Sequence, residues 1–170
     1  MSGSESLAAR LVEQLNAMGL CCATAESCTG GLVSAAITAV PGASAVFLGG
    51  VVTYTNRMKQ QLLGVSEQTL EQYSAVSRQT ATEMAAGVRR ITGADIGVSV
   101  TGNAGPQPSE GKPVGLVWLA VDSDRYREQL ELRLPCQAGR EVIRTAAVEQ
   151  ALRLVLRAAQ ELSLEFPGKE

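Results

Sequence analysis

Apolar positions along the chain recur with two periods, and each period predicts its own kind of element. Leu7, Leu11, Leu15 and Met18 repeat at helical spacing and Gly19 stands where a C-cap belongs, so the pattern predicts a helix over 5–18. "LCCATA" (20–25) is a short apolar run of the kind that forms a buried strand. "GLVSAAITAV" (31–40) reads as a helix of small residues ended by Pro41-Gly42. A second strand, rich in Val, Tyr and Thr, is expected at 50–55. "RMKQQLLGV" opens a helical piece broken at Gly64. Ser66 is placed to cap a short helix to about Tyr73, with Glu67 in its first turn. Ser77 caps the next helix, which Gly93 closes.

"ADIGVSVTG" (94–102) reads as a third strand, and "NAGPQPSEGKP" as a loop, because its prolines and glycines forbid a regular element. "VGLVWLAVD" (114–122) is apolar on both alternating faces, as in a central strand covered on two sides. "YREQLELRL" alternates: Leu130, Leu132 and Leu134 face one way, Arg127, Gln129, Glu131 and Arg133 the other. That is an antiparallel strand with one wet face. Residues 139–162 form a last helix, and "EFPGKE" is a tail. The order α-β-α-β-α-α-β-β-β-α predicts an α/β fold: a three-layer α/β/α sandwich around a mixed, mostly parallel sheet. No linker or repeat divides the chain, so 1–170 is expected to be a single domain with its core at about 5–162.

Composition narrows the function classes. Of 170 residues, 45% are hydrophobic and 19% charged, an ordinary globular balance. The formal net charge of -2 is spread along the chain, with no lysine-arginine stripe for a phosphate backbone, so direct nucleic-acid binding is not expected. No apolar run approaches the roughly 20 residues of a membrane span. The N-terminal stretch lacks a signal peptide's apolar core, and the expected location is cytoplasmic. The cysteines at 21, 22, 28 and 136 form no C-x-x-C pair and read as free thiols, with Cys21 and Cys22 buried in a strand. There is no histidine at all, which excludes Ser-His-Asp and Cys-His machinery. Any acyl-transfer base must then be a lysine, a carboxylate, a tyrosine or a metal-bound water.

Candidate chemistry gathers in three loops that follow predicted strands: 26–31, 55–59 and 101–113. If those strands are parallel, the loops share one sheet edge, where α/β folds bind ligands. "TAESCTGG" (24–31) ends a strand and opens a helix. It reads either as an anion or oxyanion site with Ser27 or Cys28 as nucleophile, or as a turn in which Ser27 or Thr29 caps the helix and Gly30-Gly31 only bend the chain. Both readings stand on this stretch. Lys59 becomes a base only if desolvation or a neighbouring cation such as Arg57 lowers its pKa; otherwise it is a solvated surface charge. Tyr54 is placed to position a substrate or relay a proton, or is simply half-buried. Thr101, Gly102, Gly105 and Lys112 give the third loop the make-up of a binding segment. Arg140 and Arg144, one turn apart, read as an anion clamp or as two surface arginines.

Taken together, "TAESCTGGLVSAAIT", "GGVVTYTNRMKQQLLGV", "SAVS" (74–77), "SVTGNAGP" and "KPVGLVWLAV" closely resemble the C-terminal domain of the CinA family. Its stand-alone members are nicotinamide mononucleotide deamidases. The resemblance runs from about residue 5 to residue 160. It implies a metal-independent amidohydrolase without a cofactor, converting nicotinamide mononucleotide and water into nicotinate mononucleotide and ammonia in pyridine nucleotide salvage.

By that resemblance Ser27 is the nucleophile, Lys59 its base and Tyr54 an assisting group. Glu26, Cys28, Thr29, Gly30, Gly31, Asn56, Thr101, Gly102, Ala104, Gly105, Lys112 and Arg140 would bind substrate, Arg140 through the phosphate. The chain departs from the family pattern in several places. "TNRM" (55–58) puts Arg57 where an acid is usual, and "QPSEG" is about one residue short and gains Pro108. Gly139 stands for an aspartate, and Asn103 for an apolar residue. A nucleotide-binding homologue without turnover is therefore the rival reading, and the family's competence- and damage-inducible name suggests an interaction role as a third. Family members assemble, and the apolar last helix suggests a surface for a homodimer.

Overall fold

A computed structural model describes residues 6–164; the tail "EFPGKE" and the first residue of the predicted N-terminal helix lie outside the described residues. The elements in chain order are α1 (Leu7–Met18), β1 (Cys22–Glu26), α2 (Leu32–Thr38), β2 (Phe47–Val52), α3 (Asn56–Leu63), α4 (Glu67–Tyr73), α5 (Arg78–Thr92), β3 (Ile96–Gly102), β4 (Leu116–Asp122), β5 (Arg127–Arg133) and α6 (Arg140–Leu164). The piece opened by Asn56 is a full helix, so three helices rather than two separate β2 from β3. Side-chain caps explain the helix starts: Ser6, Thr55, Ser66 and Ser77 each accept a hydrogen bond from the backbone N–H three residues on.

The five strands form one sheet in the order β2-β1-β3-β4-β5. β1 pairs in parallel with β2 and β3, while β3–β4 and β4–β5 are antiparallel. Four of the five strands thus run one way, although the pairings divide evenly. β2 lies at 47–52, not at the expected 50–55. Its Gly49-Gly50 pair hides the alternation, and Gly50 is required there: a Cβ would sit 2.1 Å from Thr24 Oγ1 and 2.6 Å from Ser34 Oγ.

Helices α1, α2 and α6 cover one face of the sheet, burying Leu11, Leu15, Ile37, Ile143, Leu154 and Val155 against β1, β3 and β4. Leu63, Leu70, Met84 and Val88 of α3–α5 fill the other face. That makes the three layers. The apolar residues of α6 that suggested an assembly surface are largely consumed inside the domain. One close approach sets the position of α3: a Cβ on Gly87 of α5 would meet Leu63 O at 2.2 Å, so only glycine lets the two helices pack this tightly. No helix among the described residues is long and apolar enough to cross a membrane.

Candidate active site

Because β1, β2 and β3 are parallel, their C-terminal ends open on one edge, and the three suspected loops meet there. The chain's direction also reverses at this point: α2 leaves β1 toward one face and α3 leaves β2 toward the other. This is the crevice position of open α/β sheets. Ser27 N–H donates to Val100 O (2.9 Å) and Thr53 N–H to Glu26 O (2.8 Å), which extends both ladders by one step and fixes Ser27 between the neighbouring strand ends.

Lys59 is one turn into α3, whose start is set by Thr55. Its side chain runs inward and is only 1% exposed. Lys59 Nζ donates to Ser27 Oγ (3.0 Å) and to Thr53 O (2.8 Å). Burial lowers its pKa from 10.5 to about 8, against smaller opposing pulls from Cys28 and Glu110. The exposed Arg57 plays no part in this shift. The solvated-lysine reading is therefore wrong here. A neutral Lys59 amine has one lone pair and two protons, so it can accept from the Ser27 hydroxyl while still donating to Thr53 O. Cys28, the rival nucleophile, is buried, and burial pushes its thiol up to about 11, which keeps it protonated at neutral pH.

Part of each sequence reading of the "ESCTGG" turn needs correction: the side-chain cap in one and the anion site at the helix start in the other. The N-terminus of α2 is capped neither by Ser27 nor by Thr29, and it is not open to an anion. Glu26, 1% exposed, turns its carboxylate away from the cavity and accepts from the amides of Gly31 (3.1 Å), Val33 (3.0 Å) and Ser34 (2.8 Å), and from Ser34 Oγ (2.8 Å). A carboxylate inside the fold thus occupies the anion position of the helix. Glu26, Thr29, Gly30 and Gly31, all expected to bind substrate, lie off the cavity lining. Gly30 and Gly31 serve the bend, with φ of 61° and 103°.

The cavity itself measures about 600 Å³ and is lined by Ser27, Cys28, Tyr54, Asn56, Lys59, Ala75, Val76, the 101–110 segment and Arg140. Asn56, Thr101, Gly102, Ala104 and Gly105 are thus where they were expected. The Thr101 hydroxyl, however, is committed to Ala75 O (2.7 Å). Arg140 reaches in from the start of α6 and donates to Gly105 O (2.9 Å) and Tyr54 Oη (3.1 Å). Tyr54 is 59% exposed at the rim, where its hydroxyl engages Arg140 rather than the Ser27–Lys59 pair.

Two basic residues are placed differently from expectation. Lys112 faces a separate hollow with Tyr73, Arg78 and Trp118. Arg144 donates to Cys28 O (3.0 Å) and Thr29 O (3.2 Å), clamping the turn after β1 from α6. It is a brace, not half of an anion clamp.

The sequence reading missed Glu110. Its backbone is left-handed (φ 50°), and its carboxylate accepts from Asn56 Nδ2 (3.3 Å) and Ala75 N–H (2.8 Å), drawing the third loop across the cavity. Asn103, noted only as a departure, organises that loop from within: its side chain donates to Gln107 O (3.1 Å) and Lys112 O (3.2 Å) and accepts from Gly105 N–H (2.9 Å). An asparagine in a Gly/Pro-rich segment is the available signal for such a role.

Comparison with known proteins agrees with this architecture. The CinA C-terminal domain matches residues 4–159. A protein of Desulforamulus reducens, named for competence and damage induction, is 52% identical over 136 residues, covering 80% of this chain and 33% of its own length. A CinA-like protein of Synechococcus sp. (strain RCC307) is 49% identical over 152 residues, 89% of this chain and 36% of its own. This chain therefore spans about a third of the length of such curated relatives. The crystal structure of the competence/damage inducible protein CihA from Agrobacterium tumefaciens superimposes with a TM-score of 0.86 at 44% identity, covering 94% of this chain and 99% of that one. The chain belongs to the CinA C-terminal domain family.

Proposed function

We propose that this domain is a nicotinamide mononucleotide deamidase working through Ser27 and Lys59. The observation that carries the reading is the buried 3.0 Å contact between Lys59 Nζ and Ser27 Oγ at the floor of a cavity. A lysine amine whose pKa is brought down to about 8 is a competent base near neutrality, and a chain without histidine has few other ways to activate a serine.

In this reading Ser27 Oγ attacks the carboxamide carbon as its proton passes to Lys59 Nζ. The carbonyl oxygen becomes an oxyanion beside the 27–29 turn. The amides of Ser27, Gly30, Gly31, Leu32, Val33 and Ser34 already have acceptors and Thr29 lies off the cavity lining, which leaves the amide of Cys28 to meet it. Each such donor is worth roughly 3–4 kcal/mol in acyl-transfer sites. Lys59 then returns the proton to the departing nitrogen, ammonia leaves, and an ester joins Ser27 to the nicotinoyl group. Water, deprotonated by Lys59, attacks that ester; the acid departs and the Ser27 hydroxyl is restored. Arg140 at the cavity wall supplies a positive charge for the phosphate.

The test is ammonia release from nicotinamide mononucleotide by the pure chain and by Ser27→Ala. Turnover that disappears in the variant supports the reading. Wild-type protein that binds the nucleotide but releases no ammonia would make it a binding module instead.

A further inference from the structure

Besides Lys59, two opposite charges line the cavity, those of Glu110 and Arg140, and among the described residues neither forms an ion pair. Among the described residues the Glu110 carboxylate accepts only from the neutral side chain of Asn56 and the backbone of Ala75. The Arg140 guanidinium donates only to the neutral Gly105 carbonyl and the Tyr54 hydroxyl. Among the described residues no ion pair joins the two or ties either to another side chain. They are held by different elements: Arg140 by the end of β2 and the 105 turn, Glu110 by the start of α3 and the turn before α5. Each carboxylate oxygen of Glu110 accepts one hydrogen bond from the protein and keeps acceptor capacity. The residue also adopts a left-handed backbone, φ 50°, which costs a non-glycine residue energy and persists where the surroundings enforce it. Anchored in this way, its negative charge lies at a defined place in the cavity and is felt at Lys59.

A cavity with a fixed negative and a fixed positive charge suits a ligand that is itself dipolar. From this geometry we infer that Glu110 is the specificity-determining residue that selects a substrate whose ring carries a positive charge. The inference rests on the deamidase reading, in which the pyridinium cation and the phosphate supply the two poles: the phosphate meets Arg140 and the ring cation lies within the field of Glu110. A neutral ring of the same shape gains nothing from that carboxylate.

The reduced, dihydropyridine form of nicotinamide mononucleotide is such a ring, so the pair of ligands isolates the charge. Binding of both is measured by calorimetry on Ser27→Ala, which prevents turnover, and on Ser27→Ala/Glu110→Gln. Glutamine can still accept from Ala75 N–H, and a turned Asn56 amide can accept from the new NH2 through its oxygen, so the loop anchor is retained while the charge is lost; unchanged melting temperatures check this. The oxidised nucleotide is expected to bind about tenfold more weakly to the double variant, with the reduced form changed less than about twofold. Equal weakening of both ligands would overturn the inference and leave Glu110 as a loop anchor only. No effect on either would also overturn it. Failure of the Ser27→Ala parent to bind either nucleotide would instead strike the deamidase reading itself.

Discussion

Glu26 and Ser27 are adjacent in sequence, yet their side chains serve opposite sides of the same turn. The Glu26 carboxylate goes to the N-terminus of α2 and the Ser27 hydroxyl to Lys59 Nζ in the cavity. The helix start is thereby closed to anions, and the neighbouring hydroxyl is left facing the cavity. Alternation at the end of β1 produces this division, since successive side chains of a strand point to opposite faces.

Glu26→Gln is predicted to damage folding rather than chemistry. An amide offers one acceptor and an unwanted donor to three backbone N–H groups and the Ser34 hydroxyl, which together now make four contacts with the carboxylate. A loss of about 2 kcal/mol is expected, a drop of roughly 4–8 °C in Tm for a chain of this size. A variant as stable as the wild type would show that the carboxylate is not what holds α2.

Lys59 links stability to pH. Its folded pKa of about 8 lies below the ordinary 10.5, so between those values the unfolded chain binds more protons and stability rises with pH. Below about 8 the full cost of burying the charge is present. Lys59→Met should therefore be the more stable protein at pH 7, by up to about 3 kcal/mol, and the advantage should shrink toward pH 10. Taking the difference between the two proteins removes the titration of Cys22, and making both in a Cys28→Ala background removes that of Cys28, which feels the Lys59 charge. A difference that stays flat across this range would mean that the amine is not desolvated.

In the proposed mechanism the same titration sets the rate. The base must be neutral, so kcat/KM for ammonia release should climb as pH passes through about 8 and then level off. A limb centred well below 7 would point to a carboxylate as the base.

Arg140 and Arg144, one turn apart on α6, are predicted to separate cleanly. Arg140 lines the cavity, so Arg140→Ala should raise KM by about 10- to 100-fold. Arg144 holds Cys28 O and Thr29 O, so Arg144→Ala should lower kcat and Tm with little change in KM. Reversed behaviour would mean that the brace and the phosphate contact have been exchanged.

Much of the fold was legible because its signals are local. Capping serines and left-handed glycines mark the helix ends, and apolar runs mark β1, β3 and β4. The meeting of Ser27 with Lys59, found at 3.0 Å, was legible as well, through zero histidines and the family resemblance. What was not legible depends on contacts far apart in sequence. Glu110 meets Asn56 and Ala75 across 54 and 35 positions, and Arg144 meets Cys28 across 116. Lys59 is buried on a helix that packs closely onto Gly87, which no pattern within "TNRMK" announces. Gly87→Ala should accordingly cost about 1–3 kcal/mol and reduce activity with it, by moving the helix that carries the base.

The central claim is that Ser27 and Lys59 act as one unit. It is tested most directly by kcat/KM for ammonia release from nicotinamide mononucleotide in Ser27→Ala, Lys59→Ala and the double variant. Each single change should lose at least about 10³-fold, with the double no worse than the weaker single, because neither group works without the other. Turnover that survives Ser27→Ala, or losses that multiply in the double variant, would contradict the account.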